Sequence, residues 1–368
     1  MVKKNKIAII GVKGLPAFGG SARAGENMLK ILHDDYDFTV YTVSSHTSRK
    51  SGNYDGYRQL VFKSFPVRSL NTFIYYFKSL IHCMLRGEYD IVHVFHIDAA
   101  YIIPILKLKY KVIAGHRARP QESSKWNCIA RIYFHLMEFM FYKMPAHIIT
   151  SVSKPIIVKY QPYTRREMKY IPNGILFEDI TPKFENLEFS DYIIFTAGRI
   201  METKGCHILL EALNNINYTG LIVIIGNLKH EPEYAQRLYK LSENLNVQYI
   251  NLIKDKNLLM TYIQKAKLAV FPTFLEAMSN MLLEIASLKT PLICSDIPEN
   301  TIVLGSNEAL HFKSEDSDDL SEKISWALGN PDKMKELANN AYKKLLKYYN
   351  WRKLAREYDK LYQLLLNK

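Results

Sequence analysis

Two carboxylates, Glu276 and Glu284, and two cations, Arg199 and Lys204, are the residues of this chain whose types and positions most invite chemistry. The acids fall in "FPTFLEAMSNMLLEIASLKTPLICSD", Phe271 to Asp296, which reads as strand, loop, helix, strand. That reading places Glu276 in the loop at a strand's carboxyl end and Glu284 inside an otherwise apolar helix. The cations fall in "AGRIMETKG", just beyond the end of another expected strand. Open α/β sheets bind ligands at that edge. Arg offers forked contacts and Lys a point charge, so together they can clamp a diphosphate. Carboxylates accept strong, charge-assisted bonds from hydroxyl donors. Were the stretch helical throughout, Glu276 and Glu284 would stand roughly 12 Å apart along the axis. They are therefore not read as a paired acid and nucleophile.

A second candidate is the first turn, "GVKGLPAFGGSARAGENMLKIL", with glycines at 11, 14, 19 and 20 and a helix starting near Ser21. Glycines before a helix start let backbone N–H groups approach a phosphate. Such turns also exist for tight geometry alone. The dinucleotide fingerprint GxGxxG is absent, strand two ends "YTVSS" without a ribose-binding acid, and no Walker lysine follows. These absences argue against a nicotinamide enzyme and a P-loop. The pairs Asp35-Asp37 and Asp316-Asp318 match Asp-x-Asp but lie in polar turns and are read as solvated loops. In "IVHVFHID", His93 reads as a core or edge histidine and His96 as a candidate to touch an acceptor; His135 reads as packed.

The elements that must position these residues alternate in kind. Strands are expected at 6–12, 38–43, 91–95, 111–116 and 147–152, then at 192–198, 221–226, 247–252, 268–273 and 291–296, with helices between. This rhythm signals parallel sheets with crossover helices. The fold class is α/β, two consecutive doubly wound units. A hinge is expected in 170–191, where turn signals interrupt the rhythm. The domains are then 1–175, 176–345, and a closing helix over 346–368 that can return to the first domain.

At 368 residues, two cores are the default, and 48% apolar content rules out a disordered chain. The four cysteines lie far apart with no CxxC, which argues against a zinc site and fits a reducing cytosol. The apolar run in "MVKKNKIAIIGVKG" is short and reads as a buried strand, not a signal peptide. No stretch is long and apolar enough to span a membrane. The net charge of +13 is uneven: residues 1–175 hold 26 Lys+Arg against 11 Asp+Glu, and the remainder 23 against 25. A phosphate-bearing partner or an anionic membrane should meet the first half. Two stretches there, "LNTFIYYFKSLIHCML" and "IARIYFHLMEFMFYKM", are dense in aromatics such as Phe73, Tyr76, Phe77, Tyr133 and Phe141, with Trp126 just before the second. They fill the core or rest on a bilayer beside Lys107, Lys109, Lys111, Arg165 and Arg166. Aromatic–basic interleaving for nucleic acid is not evident.

"GRIMETKG" followed by "FPTFLEAMSNMLLEIASLKTP" resembles the retaining family 4 glycosyltransferases, marked by a Glu-x7-Glu element after a GR…KG segment. "HIITSVSKPI" and "YIPNGI" extend the likeness over nearly the whole chain. "GVKGLPAFGG" and "GHRARPQESSKW" look like a rhamnosyltransferase-like branch. The resemblance implies the GT-B fold, two facing Rossmann-like domains with a cleft, and transfer of a sugar from a nucleotide-diphosphate sugar to a glycan or polyprenyl-diphosphate-linked acceptor. Retention would come from same-face attack, a donor phosphate oxygen assisting the acceptor's deprotonation. Arg199 and Lys204 would hold the leaving diphosphate, Glu276 would face the sugar hydroxyls, and Glu284 the ribose. Backbone amides at Met278, Ser279 and Asn280 would meet the phosphates, Gly19 and Gly20 would let the first domain approach them, and Gly226 would lie by the base. His116 would sit near the sugar, and His96, Arg117 and Arg119 near the acceptor. No cofactor or metal is expected. The setting implied is bacterial surface polysaccharide assembly in the cytoplasm, peripheral to the inner membrane. A GT-B nucleotide-sugar epimerase and a non-catalytic polysaccharide-binding relative are the alternatives. Lys289 departs from the family, which commonly has Gly there; a left-handed turn at Lys289 would carry strain.

Overall fold

The computed structural model describes residues 4–17, 20–118, 128–182 and 187–367. Two compact units emerge, one formed by Met1–Asn173 with Trp351–Lys368, the other by Gly174–Asn350.

Unit 1 holds β1 (Asn5–Ile10), β2 (Tyr36–Val43), β3 (Gly52–Tyr54), β4 (Tyr57–Phe62), β5 (Ile91–Val94), β6 (Lys111–His116), β7 (Ile148–Ser151) and β8 (Met168–Tyr170). Its helices are α1 (Gly20–Leu32), α2 (Arg68–Arg86), α3 (Ile103–Leu106), α4 (Cys128–Lys143) and α5 (Lys154–Tyr160). The sheet order is β3-β4-β2-β1-β5-β6-β7-β8. Only the β3–β4 pair is antiparallel, at the edge. The central strands β5 and β7 are buried along their whole length, as parallel strands covered on both faces must be. The chain reverses direction across the sheet between β1 and β5, the switch point where such folds bind ligands.

Unit 2 holds β9 (Tyr192–Arg199), β10 (Leu221–Asn227), β11 (Val247–Ile250), β12 (Leu268–Phe271), β13 (Leu292–Ser295) and β14 (Leu310–Phe312). Its helices are α6 (Cys206–Asn215), α7 (Pro232–Leu241), α8 (Lys256–Lys265), α9 (Asn280–Ser287), α10 (Pro298–Thr301), α11 (Ser317–Gly329) and α12 (Pro331–Tyr348). The order β11-β10-β9-β12-β13-β14 is all parallel, and its switch point lies between β9 and β12. Phe195, Leu209, Leu213, Ile222, Ile224 and Val270 lie in its main apolar core.

The last helix, α13 (Trp351–Leu366), packs in unit 1. Trp351, Tyr358 and Tyr362 are fully buried, and the Tyr36 hydroxyl donates to Asp359 Oδ1 at 2.5 Å. The doubly wound α/β reading holds in both units. Four strands were not anticipated: β3, β4, β8 and β14. Three have only three residues, and β4, "YRQLVF", mixes polar and apolar residues without a clean alternation.

Candidate active site

In unit 2 the switch point gathers charge. β9 ends at Arg199, which is exposed, and a 3₁₀ turn over Glu202–Lys204 follows. Gly205 ends that turn in the left-handed region at φ 70°, and a side chain there would meet the Pro272 carbonyl oxygen at 2.1 Å. Only glycine lets the turn lie so close to the loop after β12. Two hydrogen bonds fasten the two segments: Thr273 Oγ1 and Phe274 N donate to the Thr203 carbonyl at 2.9 and 3.2 Å. Lys204 Nζ is thereby brought into a direct ion pair with Glu276 Oε1, both side chains largely shielded from water. The pair joins the carboxyl ends of two adjacent central strands.

Glu284 lies on α9, the next helix, and pairs with Lys256 Nζ at 3.4 Å. Lys256 opens α8, whose start is fixed by Asp255 accepting from Asn257 N and Leu258 N at 2.9 and 3.3 Å. Sequence reasoning did not find Lys256, because nothing local links it to Glu284. At the start of α9, Ser279 is the N-cap and accepts from Leu282 N. Met278 is buried, and Ser279 and Asn280 are half-buried. The N-terminus of α9 carries the positive end of the helix dipole, favourable to an anion. Gly226 is the penultimate residue of β10, at a register shift, and a side chain there would meet the Ala197 carbonyl oxygen at 2.1 Å, so tight packing alone requires glycine.

Unit 1 treats its expected residues differently. His116 ends β6 fully buried, its Nδ1 bonded to the Tyr142 hydroxyl and its ring among Phe141, Tyr142 and Tyr160. Arg117 is buried too; its guanidinium lies over Phe95 at 4.6 Å and donates to the Tyr358 hydroxyl and to Asn173 Oδ1. It thus fastens α13. His96 is half-buried just beyond β5, and burial holds its pKa down to about 4, with Lys13 and Arg117 acting in the same direction against Asp98. Beside it, sequence reasoning missed an assembly: Asp98 pairs with Lys13 at 3.6 Å and accepts from the Tyr76 hydroxyl at 2.9 Å. Gly20 begins α1 and is exposed. Gly19 and Arg119 lie outside the described residues.

The Lys204–Glu276 pair and the Glu284–Lys256 pair therefore occupy one edge of unit 2, with Arg199 on the same edge. The described structure gives no direct bond between the two pairs. Asp316, read in an Asp-x-Asp turn, is the N-cap of α11, accepting from Asp318 N and Asp319 N. A cleft of about 590 Å³ in unit 1 opens at the other, amino ends of the strands, beside Lys6, Asp37, Tyr57 and Arg58.

Residues 178–344, nearly all of unit 2, match the family described as glycosyl transferases group 1. CapM of Staphylococcus aureus, a capsular polysaccharide biosynthesis glycosyltransferase, is 24% identical over 209 residues, 53% of this chain and 54% of CapM. The chain thus spans about half the length of that curated relative. Among solved structures, sucrose-phosphate synthase from Thermosynechococcus elongatus superposes with a TM-score of 0.83 at 16% identity, covering 99% of this chain and 100% of that one. Anabaena HepE in complex with UDP and glucose superposes with a TM-score of 0.76 at 14% identity, covering 98% of this chain and 99% of that one. These similarities in structure concern the fold, which is GT-B. The group 1 match thus falls in unit 2, where the GR…KG and Glu-x7-Glu segments meet at the switch point, and it is this unit that is similar to the glycosyl transferases of group 1.

Proposed function

We propose that this protein transfers a sugar from a nucleotide-diphosphate sugar to a glycan or polyprenyl-diphosphate-linked acceptor, with retention and without a metal, in bacterial surface polysaccharide synthesis. The observation that carries the reading is the Lys204–Glu276 pair at the switch point of unit 2. A cation and a hydroxyl-binding acid held side by side suit the two halves of an activated sugar, the diphosphate and the ring. The capsular polysaccharide role of CapM and the UDP and glucose bound by HepE support the substrate class.

Arg199 and Lys204 bind the diphosphate and stabilise the charge that grows on it as the anomeric C–O bond breaks. The N-terminus of α9 adds its dipole. Glu276 holds sugar hydroxyls while Lys204 fixes its orientation. Glu284 accepts from the ribose hydroxyls, with Lys256 occupying Oε1 and leaving the other oxygen to the nucleotide. The acceptor oxygen bonds to the anomeric carbon on the face the diphosphate leaves, and its proton passes to a phosphate oxygen of the leaving group. We assign acceptor binding to unit 1, whose excess of basic residues suits an acceptor bearing phosphates. Cys83, Cys206 and Cys294 are buried thiols in the cores, which suits a cytoplasmic setting.

Thermal-shift screening against nucleotides and nucleotide sugars tests the reading. A cognate donor at a hundredfold excess over its Kd stabilises by about 2.7 kcal/mol. Glu284→Ala should abolish the shift from the nucleoside diphosphate while the protein stays folded. An unchanged shift would refute the ribose placement, and isomerised sugar from donor alone would point to an epimerase. Anomeric proton couplings of the product would decide retention.

A further inference from the structure

We infer that unit 1 docks on an anionic lipid surface through one face made by α2 and α4. Exposed apolar residues on α4 fall at Ile129, Ile132, Leu136 and Phe139, with 79, 63, 52 and 60% of their surface open to water. That spacing is a single stripe along a helix. The opposite side of α4 is the one that packs inward, through Met137, Phe141 and Tyr142. α4 is therefore apolar on both sides, although among the described residues only one side is buried. α2 repeats the pattern: Leu70, Phe73, Phe77 and Ile81 are exposed along one side, and Leu85 continues it at 78%, while Tyr75, Tyr76, Leu80 and Cys83 are buried on the other.

The two stripes adjoin. Phe73 of α2 meets Tyr133 of α4 edge to face with ring centres 6.4 Å apart, and the Tyr101 hydroxyl donates to the Phe73 carbonyl at 2.7 Å. Two roughly 25 Å helices thus meet at Phe73 and Tyr133, each carrying its own stripe of large exposed apolar side chains. Soluble surfaces carry scattered apolar residues; a contiguous band marks a partner.

Charge selects the partner. α2 contains no Asp or Glu, and α4 contains one acid, Glu138, which has His135 3.9 Å away. Exposed cations attend the apolar stripes: Arg86 at the end of α2, Arg131 and Lys143 on α4, and Lys109 beyond α3. Apolar stripes with cations beside them and almost no acids are the composition of helices that lie in a bilayer interface. A protein partner of matching shape would need acids against these cations; a bilayer rich in anionic headgroups supplies them at every position. No described helix is long and apolar enough to cross a membrane, so the contact is a surface one. The inference stands on unit 1 alone and does not depend on the transfer reaction.

Flotation of the full chain with vesicles tests it, using phosphatidylcholine alone and phosphatidylcholine enriched in phosphatidylglycerol. The wild type should float with the anionic vesicles at low salt, and added salt should weaken this. Ile132→Ser, Leu136→Ser and Phe139→Ser combined should cut the bound fraction roughly tenfold or more, because apolar burial sets the strength of such binding. All three sites are exposed, so the variant should keep the wild-type melting temperature and circular dichroism. Arg131→Gln with Lys143→Gln should lower binding to anionic vesicles and leave the weak binding to neutral ones unchanged. Wild type that stays at the bottom with anionic vesicles at low salt overturns the proposal, as does a serine variant that floats equally well. A wild-type dimer that the serine variant turns into a monomer, with no flotation of either, would assign the face to a second copy and also overturn it. Because the assay reads no turnover, its failure would leave nucleotide-induced thermal shifts, and hence the transferase reading, standing.

Discussion

The two units share a doubly wound plan, yet they use the carboxyl edge of their sheets in opposite ways. In unit 2 the charged side chains there pair with one another, Lys204 with Glu276 and Lys256 with Glu284, and Arg199 is exposed. In unit 1 Lys13 and Asp98 form a comparable pair, but three polar residues at the same kind of edge turn inward. His93 and His116 are fully buried, and Arg117 nearly so; tyrosines hold all three. The chain returns α13 to unit 1, and its Tyr358 and Tyr362 bond to Arg117 and His93. A polar residue at a strand's carboxyl end is thus a ligand candidate only where no later element packs on it. Topology names the edge; packing decides whether a side chain there is free to act.

The sharpest way to break this contrast is to remove a charge from each edge. Lys204→Gln should lower transfer by about 10²–10³-fold, the cost typical of losing one group that stabilises developing charge. The same change should cost about 1–2 kcal/mol of stability, because a largely shielded Glu276 loses its cation while Gln still offers an amide donor. Initial rates with donor and acceptor, read against the melting temperature, separate the two effects. A variant that kept its rate would remove the central residue of the proposed site.

Arg117→Met should behave in the reverse manner. It removes two hydrogen bonds from a buried guanidinium and its stacking on Phe95, so a loss of about 2–3 kcal/mol in urea unfolding is expected. Tyr358→Phe, which removes one of those bonds, should cost less. If Arg117 instead touches the acceptor, the acceptor KM should rise while stability holds, and the contrast between the units would dissolve.

This contrast also governs what could be read from the chain. In unit 2 the chemistry is local: the turn holding Lys204 and the loop holding Glu276 each follow directly on a buried strand, so residue type and position alone exposed them. The doubly wound plan was legible for the same reason, because β1, β6, β9, β10 and β12 each hold an unbroken apolar run. β3, β8 and β14 were too short to show a period, and Arg58 and Gln59 obscured β4. In unit 1 the arrangement depends on residues remote in the chain. The sequence gives no sign that Tyr358 will cover Arg117 or that Tyr76 and Lys13 will converge on Asp98. Lys256 was missed on the same ground.

Acid should act on both units through histidines whose pKa burial lowers. Burial lowers the pKa of His96 in unit 1 and of His207 in unit 2 to about 4, from 6.5. Their folded values lie below the unfolded one, so the unfolded chain takes up protons first as pH falls. Stability is therefore full above about pH 6.5 and lost progressively toward pH 4. Since both imidazoles are only half-buried, about 1 kcal/mol each is a reasonable scale after solvent screening. His207→Gln should reduce the pH dependence of unit 2, leaving that of His311, and His96→Gln should reduce that of unit 1, leaving that of His93, His82 and His147. Unfolding free energies that do not change between pH 7 and 4.5 would rule out both contributions.

The smallest effect is expected at Lys289, just past the end of α9, the helix that carries Glu284. Its φ is 58°, left-handed, where a side chain costs about 1–2 kcal/mol relative to glycine. Two terms oppose that strain. Lys289 Nζ lies 4.6 Å from the centre of the Tyr342 ring, a contact contributing about 0.5–1 kcal/mol at an exposed site. Glycine would also lose more backbone entropy on folding. Lys289→Gly should therefore stabilise the protein by only about 0.5 kcal/mol or less, measurable as a small rise in the urea midpoint. In a Tyr342→Ala background the opposing ring contact is already gone, so the same change should stabilise more. Equal gains in both backgrounds would mean that the ring contact contributes nothing, and that Lys289 is tolerated at the end of α9 at an uncompensated cost.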